Sequence, residues 1–366
     1  MKNNYRKLGD YIQPVDIRNS DLKVSHLLGL SIEKCFIESI ANTIGTDFRP
    51  YKIVKKGQFA YGPVTSRNGD KITIALLKEA DACIISSSYS VFEITDTTKL
   101  LPEYLMLWFS RPEFDRYARY KSHGSVREIF DWDEMCRVEL PIPDIKEQKK
   151  IVNTYNAITK RIQLKQKINE NLEKTAQCLF EETIKQKEKN GKLKDIATIT
   201  MGQSPDGDSY NVNADGEVFY QGKSDFGNRF VSERIFTTAP TRIANPNDIL
   251  LSVRAPVGVI NITQKKCCIG RGLAAISSKK KQNSFLFYTL KSLSSAFEIF
   301  NGEGTVFGSI NREGLENLEI VIPEDNEIAK FEKHASKIDK EIENNELEIS
   351  NLQKIKKFLI SGISKR

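Results

Sequence analysis

The sequence predicts a mixed α/β protein: two similar globular domains separated by two long antiparallel coiled-coil helices, related by a pseudo-two-fold internal repeat. Three observations carry this expectation. A repeat runs through the chain at a shift of about 180 residues. Each copy combines short strand-like runs with a helical stretch, which excludes an all-helical or all-β chain. Each copy then passes into a long run of apolar residues at helical spacing with neither Pro nor Gly over residues 144–189 of the first copy. At 366 residues the chain exceeds one ordinary core and accommodates two.

The repeat is read most directly near the end of each domain. Gly124-Ser125-Val126 and the run up to Leu140-Pro141-Ile142-Pro143 align without a gap with Gly304-Thr305-Val306 and the run up to Ile320-Val321-Ile322-Pro323. At the front, Lys7-Leu8-Gly9-Asp10 corresponds to Lys192-Leu193-Lys194-Asp195, each opening an apolar stretch that reads as a first strand. The boundaries that follow are a first domain at 1–143, a long helix at 144–190, a second domain at 191–323 and a second long helix at 324–366.

Within the first domain, 57–61, 71–76 and 82–85 read as strands and 102–118 as a helix. In the second, 247–253 and 258–262 are the corresponding strands and 284–299 the helix, with Gly, Pro and Asn marking the turns. In the first long helix Ile151, Tyr155, Ile158 and Ile162 follow one seam at alternating steps of four and three, and Ile168, Leu172 and Leu179 resume it after a phase shift. The second carries Phe331, Ala335, Ile338, Ile342, Ile349, Leu352, Leu359 and Ile363. Asp144 and Glu147 form a capping box, which fixes where the first helix starts. A whole domain lies between the helices, so the chain is able to return and pack them antiparallel, with Ile151, Tyr155, Ile158, Ile162, Leu172, Leu179, Ile338, Ile342, Leu352 and Leu359 as the helix and subunit interface.

Composition narrows the function. The net charge of +7 favours a polyanionic partner only where it is clustered, and no segment is a strongly basic tail. The six cysteines, at 35, 83, 136, 178, 267 and 268, lack C-x-x-C spacing, so neither zinc nor a disulfide framework is indicated. The N-terminus has no apolar signal region and no uncharged run approaches the ~18 residues of a membrane helix, so a cytoplasmic protein with no membrane partner is expected.

Leu140-Pro141-Ile142-Pro143-Asp144-Ile145-Lys146-Glu147-Gln148-Lys149-Lys150-Ile151-Val152, running into a long helix with Leu172 and Leu179, resembles the central region of type I restriction-modification specificity subunits. The second copy keeps Pro323 and Glu327 but has Ile328 where Gln is expected. Gly202-Gln203-Ser204-Pro205 with Tyr210, and Gly304-Thr305-Val306 through Ile310, match as well. The resemblance implies a non-catalytic DNA-binding subunit. Each domain would read half of a split double-stranded DNA sequence. The helices would set the gap and dock two methyltransferase subunits, and two restriction subunits would complete the enzyme. S-adenosylmethionine, ATP and magnesium would belong to those partners, with no cofactor in this chain.

Catalytic readings fare worse. Asn245-Pro246-Asn247-Asp248 lacks the second proline and the aromatic of an adenine-methyltransferase loop. The run 216–224 has one residue too many between its glycines for a phosphate loop. Pro205-Asp206 with Gln221-Gly222-Lys223 is a degraded nuclease pattern in which Gln replaces the second metal-binding acid. His26, His123 and His334 are scattered, so no metal or triad constellation forms. An adaptor whose helices assemble with other proteins and whose domains bind no DNA is the competing class.

Base readout needs side chains on loops, and Arg suits guanine because its planar fork matches O6 and N7. The candidates are Arg67, Asn68, Ser88, Tyr89, Lys121 and His123 in the first domain, and Ser204, Tyr210, Gln221, Lys223, Arg229, Arg254 and Arg271 in the second. Arg254 and Arg271 stand out because each follows an apolar strand and meets Gly or Pro soon after.

Overall fold

The computed structural model of the chain describes residues 5–39, 44–66, 68–124, 127–301 and 308–365. It divides into two units, one made of residues 1–165 together with 348–366 and the other of residues 166–347. Thus each unit takes a segment of both long helices.

In the first unit the strand Tyr5–Lys7 pairs antiparallel with Glu139–Pro141, closing the start of the domain on its end. A four-stranded antiparallel sheet lies inside, in the order Ile12–Val15, Ser90–Ile94, Phe59–Tyr61 and Ile74–Leu76. Strand residues alternate between two faces, so Phe59, Tyr61, Phe92 and Ile74 enter one core while Ala60, Val91 and Ala75 enter another. Both faces are covered, which is why these strands read as continuous apolar runs. The larger core holds the helices Pro102–Phe109 and Pro112–Lys121. Phe59 stacks on Phe92 there, with ring centroids 4.9 Å apart. The smaller core is closed by two strand pairs, Lys52–Lys55 with Ala82–Ile85 and Leu28–Leu30 with Phe36–Glu38.

The single helix expected at 102–118 is two. Pro112 supplies no N–H and pushes Arg111 into extended backbone (φ −80°, ψ 137°), so the chain turns and starts a new helix at the proline. The strand expected at 71–76 is reduced to Ile74–Leu76, and the helix expected at 284–299 divides into Asn283–Ser292 and Ser294–Glu298.

The second unit repeats the plan. Gly191–Lys192 pairs with Glu319–Ile320, and a four-stranded antiparallel sheet runs Ala197–Met201, Leu273–Ser278, Ile249–Ser252, Ile260–Ile262. Ile249, Leu251, Ala274 and Ile276 face one core and Leu250, Leu273 and Ala275 the other. Its second sheet is larger, with five strands in the order Tyr210–Asn211, Ile235–Thr237, Glu217–Tyr220, Cys267–Ile269, Ile243–Ala244. A short helix precedes the closing strand in both units, Trp132–Cys136 and Arg312–Glu316. Asp131 caps the first by accepting from Glu134 N, and Asn311 caps the second by accepting from Gly314 N.

The first long helix is Ile145–Ile184 and the second Asp325–Gly362. Asp144 Oδ1 accepts from the backbone N–H of Lys146 (2.9 Å) and Glu147 (3.0 Å), the N-cap that the sequence indicates. In the first unit Lys356 Nζ lies 4.6 Å from the Tyr155 ring centroid, and Arg161 and Lys165 both pair with Glu348. In the second Asn169 meets Asn345, Phe180 meets Phe331 and Lys187 meets Glu327. In both units the partner numbers fall as the first helix advances, so the helices are antiparallel.

The seam differs from the expected one. No phase shift occurs: buried Ile162, Asn169 and Ala176 recur every seven residues, whereas Ile168 (44% exposed) and Leu179 (39%) point outward. Leu179 lies at the open edge of the seam, lining a shallow cavity with Phe331 and His334 of the second helix. Following apolar residues alone passed over Asn169, whose polarity is satisfied inside the seam. Asn345 Nδ2 donates to Asn169 Oδ1 at 2.7 Å, and Asn169 Nδ2 donates to Glu346 Oε1 at 2.9 Å. Ile151 and Ile342 are buried, and Tyr155, Ile158, Leu172, Ile338, Leu352 and Leu359 are half-buried. Among the described residues no helix is long and apolar enough to cross a membrane.

Candidate nucleic-acid interface

In the second unit several loops meet around the turn Gly270-Arg271-Gly272. Gly270 N donates to Tyr220 O (2.8 Å) and Gln203 N to Ile269 O (3.0 Å), which brings 202–205 and 220–223 to the turn. Ile269 N donates to Arg242 O (2.9 Å), which adds Thr241 and Arg242. Val253 N donates to Gly272 O (2.9 Å), which adds Arg254. The approach of backbone to backbone demands glycine here. A Cβ on Gly202 would stand 2.1 Å from Gly270 O, and one on Gly272 2.6 Å from Gln221 O. Ser204 Oγ accepts from Arg271 N at 3.3 Å. Ser204, Gln221, Lys223, Arg254 and Arg271, all candidates from sequence, thus share one end of the sheet, with Gln221, Lys223, Arg254 and Arg271 exposed.

The equivalent end of the first unit gathers the candidates there. Tyr61 pairs with Ser90, so the loops carrying Thr65 to Asn68 and Ser86 to Tyr89 leave the sheet at the same end. Thr65 N donates to Glu128 O (3.0 Å) and Thr65 Oγ1 to Ser122 Oγ (2.8 Å), and His123 bridges Ile129, which brings in Lys121 and His123. Ser88 and His123 are exposed, Tyr89 is half-buried beside Gly62, and Lys121 Nζ lies 3.9 Å from Glu134. Asn68 is half-buried with Nδ2 donating to Val64 O at 3.2 Å. Arg67, Ser125, Val126 and 304–306 lie outside the described residues.

Two candidates have other employment. Arg229 is 3% exposed, ion-paired to Asp339 of the second long helix and laid over the Phe287 ring at 4.2 Å, so it ties its loop to the helix and does not face solvent. The sequence places it in a polar loop and offers no sign of the distant aspartate. Tyr210 stacks on Phe219 with centroids 4.9 Å apart and donates its hydroxyl to Pro205 O at 3.0 Å, which fixes the turn after Ser204. Arg242, exposed beside Ile269, is a surface arginine that strand-end reasoning overlooked because it precedes a two-residue strand, Ile243–Ala244.

Beneath these loops, polar groups on the long helices hold the domains. Gln148 is fully buried: its Oε1 accepts from Leu101 N (2.9 Å), and its Nε2 donates to Lys99 O (2.8 Å) and Pro143 O (2.9 Å). The second unit has buried Ile328 at the matching point and does the same work one turn later. There Glu332 accepts from Ser284 N (3.2 Å) and Phe285 N (3.0 Å), at the start of the Asn283–Ser292 helix. Burial pushes the Glu332 carboxyl above the usual carboxylate range, and the backbone donors oppose it. Asp339 is likewise raised by burial, with Arg229 pulling it down. Burial pushes the Cys83 and Cys267 thiols up to about 12 and about 11, as befits thiols packed in the cores.

Among the described residues no group of three or more His, Cys, Asp or Glu is arranged to hold a metal ion. Asp206 caps a three-residue turn by accepting from Asp208 N at 3.2 Å. Lys223 opens another three-residue turn, Lys223–Asp225, without the long helix a phosphate loop requires.

The family description "Type I restriction modification DNA specificity domain" matches residues 40–174 and 186–357. The chain is 31% identical over 286 residues to a Methanocaldococcus jannaschii chain named as the MjaX type I restriction enzyme specificity subunit, across 72% of this chain and 67% of that one. It is 28% identical over 131 residues to the HindI type I restriction enzyme specificity subunit of Haemophilus influenzae, across 35% and 28% of the two chains. A crystal structure of a type I restriction-modification system S subunit from M. genitalium superposes with a TM-score of 0.60 at 14% identity, covering 98% of this chain and 95% of that one, a likeness of fold.

Proposed function

Because this chain belongs to the family of type I restriction-modification DNA specificity proteins, we propose that it reads a split double-stranded DNA target, one half-site with each unit. The observation that carries this reading is the duplication of one arrangement: a sheet end where exposed polar loops converge on rigid strands occurs in both units. Loops positioned by a rigid scaffold suit base readout, and flexible loops would lose affinity in ordering. The chain supplies no catalytic group. Two methyltransferase subunits and two restriction subunits dock on it and bring S-adenosylmethionine, ATP and magnesium.

The long helices are the natural docking site for the methyltransferase subunits. Their seam residues are engaged within the units, which leaves the outward apolar side chains Leu164, Ile168 and Leu179 on the first helix and Leu347, Ile355 and Phe358 on the second. Single exposed apolar groups are ordinary on a protein surface, and these are singled out by their place on the helices to which the proposed function assigns subunit docking.

The test is co-expression with the methyltransferase subunit of a type I system from the same cell, followed by mapping of methylated bases. The expected result is methylation at a two-part motif with a fixed gap, lost when this chain is omitted. Methylation that does not depend on this chain, with the complex still assembled, would support the adaptor function instead.

A further inference from the structure

The described part of the second unit contains six arginines: Arg229, Arg234, Arg242, Arg254, Arg271 and Arg312. Three are neutralised, Arg229 by Asp339, Arg234 by Asp225 and Arg312 by Glu316. The guanidinium groups of Arg242, Arg254 and Arg271 have no hydrogen-bond or ion-pair partner among the described residues, and all three are exposed. They are not scattered. Ser252 pairs with Leu273 and Val253 N donates to Gly272 O, so Arg254 leaves its strand directly beside the turn that carries Arg271, with its own backbone bridged to Ser309. Ile243 pairs with Cys268, so one further step sets Arg242 beside Ile269, two residues from Arg271.

The backbones that carry these side chains are held. Gly270 and Gly272 flank Arg271 where a Cβ would stand 3.0 Å from the Phe219 ring and 2.6 Å from Gln221 O. The loop after Ser252 is pinned from both sides: Ser252 Oγ donates to Pro256 O (2.6 Å) and accepts from Val259 N (3.0 Å), and Val257 N donates to Asn301 Oδ1 (2.7 Å). Fixed backbones under unpaired, planar, five-donor side chains are what bidentate recognition of a base edge requires. The same fork also meets a phosphate bidentately, but a phosphate contact carries no base preference, so the two uses separate by whether the sequence read changes when the arginine is replaced. Guanine alone presents two acceptors, N7 and O6, side by side in the major groove, and the guanidinium fork matches them.

We propose that the half-site read by the second unit contains guanine, recognised by Arg254 and Arg271 at the end of the Ile249–Ser252 and Leu273–Ser278 strand pair, with Arg242 as a third contact. The proposal rests on the DNA-reading function above and names the base that one of its two sites selects.

The experiment maps methylated motifs produced by the complex with the wild-type chain, Arg254→Ala, Arg271→Ala and Arg271→Lys. In the wild type one half-site contains at least one fixed guanine. Arg271→Ala and Arg271→Lys both relax a guanine position in that half-site, with preference for it falling roughly ten-fold to a hundred-fold, and the other half-site stays unchanged. Arg254→Ala relaxes a guanine in the same half-site. The proposal is overturned if the relaxed positions are not guanine. It is equally overturned if Arg271→Lys keeps the wild-type motif while Arg271→Ala weakens methylation evenly at every site, the pattern of a phosphate contact. A wild-type complex that assembles and methylates without sequence preference removes the DNA-reading function itself and the inference with it.

Discussion

Arg229 and Arg271 show how little a residue's type reveals without its surroundings. Both sit in loops of the second unit; one is sealed against Phe287 and Asp339, the other stands free at a turn walled by glycines. The sealed pair is a structural joint whose disruption should be costlier in one direction than in the other. Asp339→Ala leaves a buried guanidinium that cannot shed its charge and should destabilise the second unit by about 3–5 kcal/mol, whereas Arg229→Met keeps the bulk and leaves a carboxyl whose pKa burial already raises, so protonation neutralises it and the loss should be smaller. Urea unfolding of the two variants, monitored by tryptophan-independent far-ultraviolet dichroism, makes the comparison. Equal losses would mean that the joint contributes through shape and not through charge. The exposed turn under Arg271 was legible because a strand and a glycine mark its place, whereas the burial of Arg229 was not, because its partner lies 110 residues away in sequence.

At the scale of elements, the long helices and their starts were the most legible part of the chain. An uninterrupted periodic run and the Asp144 cap leave few alternatives. The second sheet layer was barely legible, because two- and three-residue strands such as Ile243–Ala244 and Phe36–Glu38 are too short to show a period. The seam was read in the right helices and partly in the wrong phase, since Asn169 and Asn345 hide an unbroken seven-residue recurrence from a search for apolar residues. A buried Asn pair in a coiled coil typically fixes register at some cost in stability. Replacing both by Val should therefore raise the melting temperature while loosening the register. Disulfide trapping reads the second effect: Ile162→Cys is combined in separate variants with Ile349→Cys, Ile342→Cys or Lys356→Cys, and only the Ile349 combination should give a cross-linked species in the parent, whereas all three should in the double-Val background. Cross-linking of the Ile349 combination alone in both would show that packing alone sets the register.

For the molecule as a whole, the repeat was legible from the outset, and so was the mixed α/β character, because each half brings its own strands, helices and closing strand pair. What sequence could not supply was the composition of each unit, since no local pattern tells that 348–366 packs with 1–165. The boundary between the units crosses each long helix once, after Lys165 and after Leu347. Four residues inserted at both points leave pairs such as Arg161 with Glu348 and Asn169 with Asn345 undisturbed. Such an insertion adds roughly 6 Å of helix and about 40° beyond a full turn. Base pairs advance about 3.4 Å and turn roughly 35° each, so the gap between the half-sites should lengthen by one or two base pairs while both half-site sequences persist. Methylation mapping of the insertion variant measures this. An active complex with an unchanged gap would show that the helices do not act as the ruler.

The hydroxyl of Tyr5 donates to the carbonyl of Ser364 at 2.9 Å, and Ile363 is buried in the same core as Leu8 and Phe59. The first domain to leave the ribosome is therefore the last to be finished. Its core lacks a side until residues encoded beyond the whole second unit have been translated, so the second unit, built from one continuous stretch of chain, is able to complete itself earlier. A nascent chain stalled or clipped near Leu347 would carry its lesion not at the nearby reader but at the one made first, and a quality-control protease would meet exposed apolar surface in the N-terminal half.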